Sequence, residues 1–119
     1  MATASLEDGT CVPNGDVAAT TATSNPGFTT TNANDVLIYG LHADANAGTF
    51  TAGSGYTVPT GGVANSATAA EYQIVSGIQT GVTATMNWTT SRQWASVLAA
   101  FKAAPAGGTT FPRRPALVF

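Results

Sequence analysis

From Val82 to Thr89 apolar and polar positions alternate without a break. Val82, Ala84, Met86 and Trp88 fall on one side, and Thr83, Thr85, Asn87 and Thr89 on the other. A period of two over this length is the mark of a strand with one face in a core. The next run, Gln93 to Ala103, is the most apolar in the chain, and its spacing fits two elements. Trp94, Val97, Leu98 and Phe101 follow helix spacing, with Ser91 placed to cap. Read with period two, Ala95, Val97, Ala99 and Phe101 face one way and Trp94, Ser96, Leu98 and Ala100 the other. Periodicity leaves both open. The neighbourhood selects the strand, because everything upstream reads as β structure and a doubly covered strand is a near-continuous apolar run.

Asp35 to Ala43 is a second run of that kind, apolar on both faces and rich in β-branched and aromatic residues. Gly40 in its middle suggests close approach of a large side chain, Trp88 or Trp94. Thr68 to Ser76 reads as a strand with Tyr72 and Ile74 inward and Glu71 and Gln73 outward. Asp16 to Ser24 reads as an edge strand, with Val17, Ala19, Thr21 and Thr23 on one face. Thr49–Ala52 is a short strand, and Pro59 ends another or marks an edge. Asn14-Gly15, Asn25-Pro26-Gly27, Gly53-Ser54-Gly55 and Thr60-Gly61-Gly62 are turn signals. Turns recurring every 8 to 12 residues or so between short strands predict an antiparallel β-sandwich. A βαβ fold needs helices between its strands, and only 93–103 has the length for one.

The 119 residues point to one domain. At 44% hydrophobic and 8% charged, the chain has the apolar content for a core and is no disordered acidic polymer. The net charge of −2 is unevenly spread: all six acids precede residue 72, and all four bases, Arg92, Lys102, Arg113 and Arg114, follow residue 91. Four bases argue against nucleic acid, where affinity scales with phosphate contacts. A single cysteine, Cys11, rules out an intrachain disulfide. The first residues show no basic region followed by an apolar core, so no secretion signal is expected. No run approaches the ~18 apolar residues of a membrane span.

Candidate chemistry is sparse. His42, the one histidine, has no motif that supplies a nucleophile or second acid, and reads as a strand histidine with a local partner. Cys11 has no companion ligands for a metal. Asp44-Ala45-Asn46-Ala47-Gly48 begins like a calcium loop but lacks its later acid, and reads as a turn. No cofactor and no catalytic residue is expected. Among the aromatics, Trp88 and Tyr39 fall in core register. Tyr56, beside a Gly-rich turn, is the one placed for exposure and is the candidate glycan-stacking ring. From Ala104 the chain becomes a linker. Phe111-Pro-Arg-Arg-Pro-Ala-Leu-Val-Phe119 then forms an apolar, basic arm too short for a core of its own.

Three stretches together carry a resemblance. Asn34-Asp35-Val36-Leu37-Ile38-Tyr39-Gly40, Phe50-Thr51-Ala52-Gly53-Ser54-Gly55-Tyr56-Thr57 and Trp94-Ala95-Ser96-Val97-Leu98-Ala99-Ala100-Phe101-Lys102 resemble, in order and spacing, a β-sandwich module. That module recurs in phage virion proteins and large bacterial surface proteins. The resemblance spans roughly residues 16–104 and has no catalytic residues to carry over. It implies a jelly-roll-like structural or adhesive domain. The expected organisation is an N-terminal extension (1–15), a β-sandwich domain (16–104), and a linker with an extended C-terminal arm (105–119). The expected function is non-enzymatic: a virion component, such as a capsid decoration or tail/fibre subunit, in contact with other copies and other virion proteins. Phe111, Arg113, Arg114, Leu117, Val118 and Phe119 are the expected partner contacts. A carbohydrate-binding module on an extracellular surface, with Tyr56 on the glycan, is the alternative.

Overall fold

A computed structural model describes residues 6–24 and 26–103, which are all-β, with no helix among them. The strands are β1 (Val12–Thr23), β2 (Asp35–Ala43), β3 (Val63–Ala64), β4 (Thr68–Val75) and β5 (Thr85–Lys102). They form one antiparallel sheet in the order β1-β5-β2-β4-β3. The two apolar runs occupy its central lanes. β2 lies between β4 and β5, and the second half of β5 lies between β1 and β2. The strand reading of 93–103 therefore holds. Gly53-Ser54-Gly55-Tyr56 makes the expected turn, with Tyr56 N–H donating to Gly53 O and Gly55 at positive φ.

Between the alternating run Val82–Thr89 and the apolar run Gln93–Ala103, Thr90–Arg92 forms a corner within one strand. β5 runs unbroken for 18 residues, yet the rings of Trp88 and Trp94 meet with centroids 6.3 Å apart. A straight strand separates such positions by about 20 Å. The β1–β5 register slips on both sides of Ala19, opposite Arg92, as strand irregularities do where a sheet bends. The loop after β2 straps the corner: Thr89 and Thr90 N–H both donate to Ala47 O, and Arg92 Nε donates to Asn46 O. The far halves of β1 and β5 thus return over the concave face, adding Ala22, Ala84, Met86 and Trp88 to a core that holds Leu37, Tyr39, Leu41, Trp94 and Leu98. Isolated bridges join Thr51 to Asn87 and Thr57 to Tyr72, so the 49–57 segment links β5 to β4. The all-β expectation is met. The cover over the core is the returning part of the same sheet and its loops, and no second hydrogen-bonded sheet is present among the described residues.

Several expectations need correction. The first strand begins before the expected Asp16. β1 starts at Val12, and residues 6–8 run beside the end of β5, with Asp8 N–H on Ala100 O and Lys102 N–H on Leu6 O. In β4 the faces are reversed: Glu71 is buried and Ile74 is 76% exposed. The register explains this, since Glu71 pairs with Tyr39 and Gln73 with Leu37, both on the core face of β2. Finally, among the described residues β2 and β5 are covered on one side only. Burial alternates along β2, and a Cβ placed on Gly40 would meet nothing within 4 Å. Gly40 looks away from the core, whereas Trp88 and Trp94 lie inside it. The linker and arm, 105–119, lie outside the described residues.

Candidate functional site

The face of the sheet turned away from the core is its unusual surface. Paired strand residues share a face, so the register lays this one out in four rows: Phe101, Val36 and Ile74; Ala99, Ile38 and Tyr72; Val97, Gly40 and Ala70; Ala95, His42 and Thr68. None of these is an acid, lysine or arginine. Ile38, Val97 and Phe101, all in central strands, are 40%, 41% and 38% exposed. Central strands normally bury such side chains, and a contiguous apolar patch on a soluble domain marks a contact surface. The missing side chain at Gly40 opens a shallow trough of about 370 Å³, walled by His42, Ala95, Val97 and Thr68. Glu7, bridged to Phe101, borders the face at its edge. His42 at the far end shares a hydrogen bond with Thr68 Oγ1 at 2.9 Å, the locally partnered strand histidine that was expected.

Beneath the sheet lies a buried polar cluster. Glu71 is 1% exposed, and its Oε2 accepts from Gly53 N–H at 2.8 Å. Burial pushes its carboxyl up to about 7, opposed by the Gly53 bond. Its Oε1 and the Tyr56 hydroxyl are buried with no hydrogen-bond partner among the described residues. Burial first, then the Glu71 charge, pushes Tyr56 up to about 12. Tyr39 donates from its hydroxyl to Ser96 Oγ at 2.9 Å, within the sheet. Tyr56 is 9% exposed, so its ring offers no open face for a glycan. The Gly-rich turn that suggested exposure instead folds the ring into the core.

A second acid pair fastens the N-terminal segment. Asp8 accepts from Thr31 N–H, Thr31 Oγ1 and Asn32 N–H. The Thr31 hydroxyl and the Asn32 amide hold its carboxyl down at about 2. Asp35, buried at the start of β2, accepts from Asn32 Nδ2, and burial raises its carboxyl above the ordinary range. The two carboxyls are adjacent and shift in opposite directions, and after burial the nearby Asp8 further disfavours ionisation of Asp35.

The sequence reading missed all three buried acids. The signal for Glu71 was the other phase of β4, in which Ala69, Glu71, Gln73 and Val75 share a face. The expected partner contacts Phe111, Arg113, Arg114, Leu117, Val118 and Phe119 lie outside the described residues. Cys11 is exposed and free. Among the described residues no three of His, Cys, Asp and Glu come together to hold a metal, and no helix is long and apolar enough to cross a membrane. Comparison with protein-family models, curated proteins and solved structures found no match to this chain.

Proposed function

We propose that this chain is a non-enzymatic structural subunit that works by repeated protein–protein contacts. One observation carries the reading: an uncharged apolar sheet face stands open across the central strands, with Ile38, Val97 and Phe101 substantially exposed. Burying it in a contact removes apolar area from water at roughly 25 cal/mol per Å². A contact surface of this breadth suits an assembly component better than a lone domain. The resemblance of 34–40, 50–57 and 94–102 to a module of phage virion proteins gives the setting. The subunit would be a capsid decoration or a tail/fibre component, acting in the virion. The segment with Phe111, Arg113, Arg114, Leu117, Val118 and Phe119 is a second contact in this reading, its arginines pairing with a neighbour's acids.

Light scattering on the full chain and on a 1–104 truncation, with circular dichroism to confirm folding, tests this. The full chain is expected to be an oligomer. If it falls to a monomer on truncation, the arm makes the contact; if the oligomer persists, the sheet face does. A full chain that is monomeric at every concentration would remove the assembly reading.

A further inference from the structure

We infer that the open face pairs with the same face of a second copy about a two-fold axis lying over the row of Leu98, Tyr39 and Glu71. This rests on the assembly reading above and names the partner.

The argument is one of size and register. Leu98 pairs with Tyr39, and Tyr39 with Glu71, so these three form a line across β5, β2 and β4. A two-fold axis along that line, in the plane between two stacked sheets, places each strand over its own copy running the opposite way. Residues equally far from the line then face each other. Ile38 of one copy meets Gly40 of the other, Tyr72 meets Ala70, and Val97 meets Ala99. In the next row Phe101 lies over Ala95 and Ile74 over Thr68, while Val36 meets His42, a side chain of similar size. In every pair but that one a larger side chain sits over a smaller one, the interdigitation that two packed sheets about 10 Å apart require. The central fit is the sharpest. Ile38 protrudes, 40% exposed, and two residues along the same strand Gly40 leaves a trough in which an added Cβ would meet nothing within 4 Å. A two-fold contact is isologous, so one bump and one hollow on a single strand satisfy both copies at once. No acid, lysine or arginine lies in these rows within β5, β2 and β4, and Glu7, bridged to Phe101 at the edge, falls over Gly15 of the other copy and not over a like charge. Three strands of about seven residues give a footprint of roughly 15 by 20 Å. That is below the roughly 800 Å² per partner of a standard stable interface, so the pairing is expected to be weak and to depend on concentration.

Sedimentation velocity of the full chain over a concentration series is the test, with circular dichroism and thermal midpoints as the folding check. Wild type is expected to dimerise reversibly. Gly40→Ile fills the hollow, in which an added Cβ meets nothing within 4 Å, and is expected to weaken the dimer by about tenfold or more while leaving the midpoint unchanged or higher. The swap Ile38→Gly with Gly40→Ile exchanges bump and hollow. Because the axis interchanges positions 38 and 40, the swap is expected to recover the dimer. An oligomer indifferent to Gly40→Ile, or a folded swap variant that stays monomeric, overturns the two-fold pairing and leaves the assembly reading standing. A wild-type chain that is monomeric throughout overturns both.

Discussion

Trp88 and Trp94 stand nearly edge to face, 6.3 Å between centroids with planes at 68°, although both belong to strand β5. Their contact closes the corner that turns a single sheet into an enclosed core. Phe50 packs on Trp88 from the covering loop, 6.1 Å away. Trp94→Ala removes one half of the pair and leaves a cavity where the two limbs of β5 meet. A loss of about 3–5 kcal/mol is expected in urea unfolding, as for large buried aromatics. A loss below about 1 kcal/mol would mean that the strap of Ala47 and Asn46 holds the corner unaided.

Glu71 makes stability depend on pH. Its folded carboxyl sits at about 7 against an ordinary 4.5, so the native state holds a proton the unfolded chain has released. That contribution is fully present below about pH 4.5 and is lost as pH rises through about 7. After discounting for nearby solvent it amounts to roughly 2 kcal/mol. Glu71→Gln keeps an acceptor for Gly53 N–H and carries no charge. Urea midpoints of this variant are expected to be flat between pH 5 and 8, above wild type at the upper end. A wild-type slope that persists in the variant would assign the titration elsewhere.

Asp8 acts in the opposite sense. Its carboxyl is held at about 2 against 3.8, so the stability it brings is present above pH 3.8 and lost as pH falls through about 2. Asp35, raised by burial, contributes below its ordinary range and loses that contribution as pH rises. Asp8→Asn cannot accept all three bonds from Thr31 and Asn32. Faster amide exchange is expected at Asp8 and Lys102, whose N–H groups tie residues 6–8 to β5. The β2–β5 ladder is expected to stay protected. Exchange rates unchanged at both amides would show that the backbone bonds alone hold the segment.

Gly53 and Gly40 make a contrasting pair. A Cβ on Gly53 would lie 2.0 Å from the backbone oxygen of Thr85, so Gly53→Ala must move the loop and its bond to Glu71. A loss of about 1–3 kcal/mol or more is expected. Gly40→Ala meets nothing and trades a flexible strand residue for a stiffer one, with an expected gain of about 0.5–1 kcal/mol. Thermal unfolding of both variants measures this. A destabilised Gly40→Ala would mean that the hollow is already filled within the subunit.

The sequence by itself determined the β content, the two central strands at 35–43 and 93–103, and the inward set Ala84, Met86 and Trp88. Alternation and apolar runs follow directly from the two-residue period of a strand, and Gly-rich turns from backbone freedom. It did not determine which side of each strand faces the core. Val97 and Phe101 are as apolar as Leu98 and Trp94, and Ile74 more so than Glu71. Only the pairing of β4 with β2, and the corner in β5 that folds one face inward, decided between them. Those are non-local events, fixed by register between residues such as Tyr39 and Glu71 that lie far apart in the chain. The tertiary structure therefore buried an acid, enclosed Tyr56, and left the face of Ile38 and Gly40 open.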